Sequence, residues 1–178
     1  TCALPISELA CEGLRPENLG GHEIRDEEVL SNMVDYYESR GDIPDWWIQL
    51  RPTYPLRPVN LLSEMYERYM KNVGVNAVRT IVRSEHTPLK MYVKSEGLLK
   101  PLFMEWGEIR EPFEAPRQIL PVCYWHNGCV DIIRHNLFKK YKKCFVEGEV
   151  FGHEMKEDDI LDIDTWDDWE RVMKRMNG

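Results

Sequence analysis

Two aspartates one residue apart, in Asp162-Ile163-Asp164, are the best-placed chemistry in this sequence. On a strand such residues point to the same side, about 7 Å apart along the chain. Two carboxylates at a strand end repel each other unless a cation neutralises them. Mg2+ suits the pair, because it takes few protein carboxylates and completes its shell with water and phosphate oxygens. The competing reading is a solvated acidic corner, since Asp158, Asp159, Asp167 and Asp168 crowd the same segment. Arg51 and Arg57 bracket a loop, 51–58, whose three prolines exclude regular structure. Guanidinium forks there suit phosphate or carboxylate, the alternative being surface arginines on a turn. His22, His86, His126, His135 and His153 have no spacing that pairs a nucleophile with a base, and there is neither a Gly-x-Ser-x-Gly elbow nor a Walker loop.

The elements that must position these residues read as an α/β pattern. Asp26 opens a helix whose first turn is acidic and whose apolar face is Val29, Leu30, Met33, Val34 and Tyr37, with Gly41 to end it. Trp46 to Leu50 reads as a buried strand, followed by the proline loop. Residues 59–72 read as a second helix with Leu62, Met65, Tyr66 and Tyr69 inward, and Asn76 to Val82 as the next strand. Strand, loop, helix, strand is the order of a sheet with crossover helices, in which ligands gather at the carboxyl ends of the strands. Lys90–Lys94 and Leu98–Phe103 flank Ser95-Glu96-Gly97 as a β-hairpin. Cys129–Ile133 reads as a strand, Leu137–Lys142 as a short helix, and Ile160–Asp164 as the last strand. Thr165 and Asp168 then form a capping-box start to a helix with Trp166, Trp169, Val172, Met173 and Met176 as its core face.

Composition narrows the classes. The 178 residues hold 43% hydrophobic and 30% charged residues, enough for one cored domain and unlike a disordered chain. A net charge of -8 argues against a nucleic-acid partner, though a local Arg/Lys patch can still hold a nucleotide. No apolar run approaches the roughly 18 residues that span a bilayer. The five cysteines are odd in number and lack Cys-x-x-Cys spacing, which favours unpaired thiols in a cytoplasmic setting over a zinc site. The opening Thr1-Cys2-Ala3-Leu4-Pro5-Ile6 has no signal-peptide grammar and matches a sequencing-adapter read-through, so residues 1–13 are expected to be an artefact or a disrupted remnant.

Four segments, taken together, resemble the acylneuraminate cytidylyltransferase family, the enzymes that make CMP-sialic acid and related CMP-nonulosonates. They are Leu14-Arg15-Pro16-Glu17-Asn18-Leu19, Leu50-Arg51-Pro52-Thr53-Tyr54-Pro55-Leu56-Arg57, Arg117-Gln118-Ile119-Leu120-Pro121 followed by Tyr124 and Asn127-Gly128, and Leu161-Asp162-Ile163-Asp164-Thr165 with Asp168-Trp169. They occur in the family's order and at its approximate separations. The resemblance implies a Rossmann-like nucleotidyltransferase fold over 14–178 and a homodimer, with 86–128 as a dimerisation and substrate region. It implies transfer of CMP from CTP to a sugar acid by in-line attack of the anomeric hydroxyl, with release of pyrophosphate. Asp162 and Asp164 match the catalytic metal pair, for Mg2+ with Mn2+ as the alternative ion. Arg15 matches an arginine near the nucleotide. Lys90, Arg117 and Asn127 match the sugar-acid site, Lys90 and Arg117 reaching it from the second subunit, and Arg51 is expected to add charge near the sugar.

Departures from the family pattern leave the sugar open among sialic, legionaminic and pseudaminic acids. The first strand and nucleotide loop are missing, Arg51 stands where many members have Gln, Asp131 stands where sialic-acid enzymes have Tyr, and His22 and Asp26 differ from the usual residues after Arg15-Pro16. Without a phosphate cradle at a helix N-terminus the chain is expected to bind CTP poorly. The alternatives are a CMP-Kdo synthetase or other sugar nucleotidyltransferase, and a catalytically silent dimeric module.

Overall fold

The computed structural model describes residues 16–21, 23–72, 74–156 and 161–176. It is a mixed α/β structure. In chain order the elements are α1 (Asp26–Ser39), β1 (Trp46–Leu50), α2 (Leu61–Met65, continued by a π turn at Tyr66–Met70), β2 (Ala77–Arg83), β3 (Tyr92–Ser95), β4 (Leu98–Pro101), β5 (Glu105–Trp106), β6 (Ile109–Arg110), β7 (Tyr124–Arg134), α3 (His135–Tyr141), β8 (Val150–Glu154) and α4 (Trp166–Met176). Four strands form a mixed sheet in the order β1-β7-β2-β8, and β3-β4 and β5-β6 form two small hairpins. No helix among the described residues is long and apolar enough to cross a membrane.

The chain divides into two compact units. The first is drawn from Thr1–Ile48, Gly74–Ala77 and Ile132–Val150. Its core is Val34, Trp47, Ala77, Ile133, Leu137, Phe138 and Cys144, with Leu30, Met33 and Tyr37 of α1 packed against it. The acidic first turn of α1 complements the helix dipole, and Glu28 reaches back to accept from the Arg25 amide at 3.1 Å. Gly41, at φ 75, ends the helix as expected: its amide donates to the Glu38 carbonyl and that of Asp42 to the Tyr37 carbonyl, the Schellman arrangement. His135 is buried with both nitrogens engaged. Trp47 Nε1 donates to its Nδ1 at 3.3 Å and its Nε2 faces Glu38 at 3.2 Å.

The second unit is drawn from Gln49–Val73, Val78–Asp131 and Phe151–Gly178. Tyr54 of the proline loop is wholly buried there, with Leu61, Met65, Tyr69, Val78, Val82, Val130 and Val172. The expected hairpin forms, pairing Tyr92 with Pro101 and Ser95 with Leu98, and its turn residues Glu96 and Gly97 both have positive φ.

Four expectations need correction here. The second helix is shorter and changes to a π turn, in which the Lys71 amide donates to the carbonyl of Tyr66, five residues back. Met65 and Tyr69 are buried as expected, but Leu61 rather than Leu62 is buried with them, and Tyr66 is 45% exposed. Residues 161–163 form no strand, and Ile160 lies outside the described residues. The sheet instead takes β8, where Gly152 lies so close to Ile81 that an added Cβ would sit 2.3 Å from its Cδ1. The strand at 129–133 is longer than expected, because Gly128, at φ 72, bends β7 without ending it. Finally, the apolar face of α4 is not core: only Val172 is buried, and Trp166 is 81% exposed.

His153 on β8 is 7% exposed, and its Nδ1 is buried with no hydrogen-bond partner. Its ring meets that of Tyr69 edge-on at 5.8 Å. Burial holds its pKa below 6.5, the nearby charge of Arg68 adds to this, and Glu64 opposes it. The unfolded chain therefore takes up this proton first, and stability is lost as pH falls through 6.5 toward the folded value. Denaturant melts at about pH 7.5 and about pH 5 are expected to differ more for the wild type than for His153→Phe, which carries no titrating ring.

Candidate functional site

Loop 51–58 is built around Tyr54, whose amide closes a turn on the Arg51 carbonyl at 3.1 Å. Arg57 braces the loop. Its Nη2 donates to the Arg51 carbonyl, its Nε donates to the Cys129 carbonyl at 3.2 Å, and its guanidinium lies 6.0 Å from the centre of the Tyr54 ring. Arg57 thus ties loop to strand.

The Arg51 side chain runs over Gly128. A Cβ on Gly128 would lie 3.0 Å from Arg51 Cδ and 3.3 Å from its Nε. Asn127 is buried, accepts from the Cys129 amide through Oδ1 at 3.2 Å, and directs Nδ2 at Met155 Sδ at 3.2 Å. Its amide is spent on holding the Gly128 bend, so it is a positioning residue for Arg51. Gly128→Ala is expected to cost about 1–2 kcal/mol from the left-handed backbone alone and to displace Arg51, as chemical denaturation would measure.

Asp162 approaches the same place. The Ile163 amide donates to the Thr53 carbonyl at 2.9 Å, tying 161–163 to the proline loop. Asp162 Oδ1 is buried and has no hydrogen-bond partner. A withdrawn carboxylate oxygen with nothing to accept from is costly unless a cation or donor arrives. Its charge reaches Cys129: burial pushes that thiol up to about 11, Arg57 pulls against the rise, and Asp162 and Asp131 add to it. Cys129 is therefore a neutral packing residue and no nucleophile.

Asp164 is exposed at the start of α4. The amides of Asp164 and Thr165 donate to Asp168 Oδ2 at 3.2 and 2.8 Å, and the Asp168 amide donates to Thr165 Oγ1 at 3.3 Å, so the expected capping box is present. The Thr165 hydroxyl chiefly, with Arg171 and these amides and against some desolvation, brings Asp168 down to about 2. Asp168 is committed to the cap, which separates it from Asp162 and Asp164 in role.

Among the described residues no group of three or more His, Cys, Asp or Glu side chains is arranged to hold a metal. One or two carboxylates, one with an unsatisfied oxygen, fit Mg2+ that draws its remaining ligands from water and phosphate.

The other expected residues lie apart in the chain. Lys90 is half-buried and donates Nζ to the Phe113 carbonyl at 3.0 Å, and Arg117 is exposed in a short 3-10 turn, Arg117–Ile119. Arg15 lies outside the described residues. Sequence reasoning missed a charged cluster on β7 and β2. Asp131 is 2% exposed, is held by Arg79 Nε and Nη2 at 3.1 and 3.2 Å, and faces His126 Nε2 at 3.2 Å. Burial alone would raise its pKa, but the hydrogen bonds from His126 and Arg79 outweigh this and lower it. An aspartate inside the apolar run Cys129-Val130-Asp131-Ile132-Ile133 was the available signal, because a buried charge demands a partner.

A scan against protein-family models gives no match to this chain, and no curated protein matches it significantly.

Proposed function

We propose that this chain belongs to a cytidylyltransferase of Rossmann-like nucleotidyltransferase fold, which transfers CMP from CTP to a nonulosonic, sialic-acid-like sugar acid and releases pyrophosphate. The four family-like segments motivate the assignment, and the observation that carries it is the buried, unsatisfied Oδ1 of Asp162 tied to the Arg51 loop. Asp162 and Asp164 would hold Mg2+, or Mn2+, which when bound neutralises phosphate charge and eases deprotonation of the attacking hydroxyl.

The chain's own residues supply the rest. Asp162 offers an oxygen already removed from water, so binding a cation there incurs little further desolvation. Arg51, held against Gly128 by the Asn127 bend, supplies positive charge for the sugar carboxylate. Lys90 and Arg117 serve the same anion from a second copy, in a cytoplasmic homodimer. The exposed hairpin residues Val93, Leu98 and Leu99 are consistent with such pairing.

The test is pyrophosphate release from CTP by the full-length gene product, offered sialic, legionaminic and pseudaminic acids and Kdo with Mg2+. Release is expected with at least one nonulosonic acid. Release with Kdo alone moves the assignment to a CMP-Kdo synthetase. No release with any acid or metal overturns the cytidylyltransferase assignment in favour of a silent module.

A further inference from the structure

We propose that His126 is the proton acceptor for the attacking hydroxyl in the proposed CMP transfer, a role that rests on that reading. The residue lies on β7, one position before the Asn127–Gly128 bend against which the Arg51 side chain runs. Its Nε2 is 3.2 Å from Asp131 Oδ1, and Asp131 is 2% exposed. Arg79 bonds both oxygens of that carboxylate, at 3.1 and 3.2 Å. Burial works against ionisation of Asp131, but the bonds from His126 and Arg79 outweigh it, so the carboxylate is an anion that only accepts. The nitrogen facing it must therefore carry a proton. In the neutral ring that proton is on Nε2, and Nδ1 keeps its lone pair.

Among the described residues the ring has no further hydrogen bond. Its side chain is 26% exposed, so the ring meets solvent while its anchor is sealed. A buried acid that fixes the tautomer of a partly open imidazole is the pairing that general-base catalysis uses. Arg79 already neutralises Asp131, so His126 is not required to balance that charge.

Position favours the same use. Cys129 and Asp131, two apart on β7, share a face of the sheet, and His126 joins that face through its bond to Asp131. The buried Cys129 thiol feels the charges of Arg57, Asp162 and Asp131. The acid that orients His126 and the carboxylate with the orphaned oxygen thus act on one side chain. In the transfer step the hydroxyl proton passes to Nδ1 as the hydroxyl oxygen bonds the α-phosphorus. The bond from that phosphorus to the bridging oxygen breaks, and pyrophosphate leaves with the electron pair. The imidazolium, steadied by Asp131, returns its proton to water.

Pyrophosphate release by the full-length gene product, with CTP, Mg2+ and the accepted sugar acid, tests this. His126→Gln keeps a donor for Asp131 but has no basic nitrogen. It is expected to lower kcat ~100-fold, with KM within about threefold and the melting temperature unchanged. Free imidazole is expected to restore part of the rate lost in His126→Ala and to leave Asp164→Ala unaffected. Retention of more than about a third of kcat by His126→Gln overturns the role and leaves the cytidylyltransferase assignment standing. So does a folded His126→Ala that imidazole does not rescue. No release by the wild type overturns both. Without any turnover, heteronuclear NMR of the wild-type ring nitrogens should show Nε2 protonated and Nδ1 bare at about pH 8. A proton on Nδ1 there overturns the role even where no variant folds.

Discussion

Asp162→Ala is expected to remove Mg2+-dependent CMP transfer by at least ~100-fold while leaving the protein as stable as before, or more so. The two effects share one cause. Oδ1 of Asp162 is buried without a donor from the chain, which costs on the order of 1–3 kcal/mol and ends when the carboxylate is deleted. On the proposed function, that cost is kept for a cation. Asp164→Ala is expected to remove turnover to the same degree with no gain in stability, because Asp164 is exposed. Retention of more than about a tenth of the rate by either variant is too much for loss of a metal ligand. Thermal melts beside turnover assays read both halves. A loss of melting temperature in Asp162→Ala would show instead that the carboxylate has an internal partner and a structural role.

The second large effect concerns Asp131. Arg79→Met leaves a carboxylate that is 2% exposed with only His126 beside it, and is expected to cost about 3–5 kcal/mol. That is a large fraction of the 5–15 kcal/mol that holds a typical domain together. Removing the second charge as well, in Arg79→Met/Asp131→Val, is expected to recover most of the loss, because a buried ion pair replaced by apolar side chains is often neutral. Urea denaturation of the wild type, both singles and the double checks this. The pH dependence has a definite sign. Asp131 is depressed below its ordinary 3.8, so its contribution is fully present above that value and is lost as pH falls through the folded pKa. The acid-denaturation midpoint is therefore expected to rise in Arg79→Met.

Several elements were readable from residue order alone, each for a local reason. The acidic first turn and Gly41 bounded α1, the Ser95-Glu96-Gly97 turn marked the β3–β4 hairpin, and Thr165 with Asp168 marked the start of α4. What escaped depends on contacts distant in the chain. β8 has a glycine at its centre and a histidine that faces inward, so no alternation announces it; Gly152 is there for the close approach of Ile81. Met65 and Tyr69 are buried as expected, whereas Leu61 takes the place of Leu62 and the π turn carries Tyr66 out to solvent, a change of register that periodicity assumes away. Asp162 was singled out on the premise of a strand. Residues 161–164 form no strand, and the residue reaches the proline loop through the Ile163–Thr53 hydrogen bond. The Arg51 side chain lies against Gly128, a contact distant in the chain, and the partner of Asp131 could not be chosen among 23 cations without the sheet order. The exposed stripe of α4 reads identically to a core face, because amphipathicity does not say what covers it.

The proposed sharing of an ion by Asp162 and Asp164 is most directly tested by titrating the protein with Mn2+ and following the free ion by electron paramagnetic resonance, with pyrophosphate present and absent. Two carboxylates sharing a cation should take up one Mn2+ per chain, more tightly with pyrophosphate, and Asp162→Asn/Asp164→Asn should abolish the uptake. Equal uptake by wild type and double variant, or none by either, would contradict a metal centre at Asp162 and Asp164.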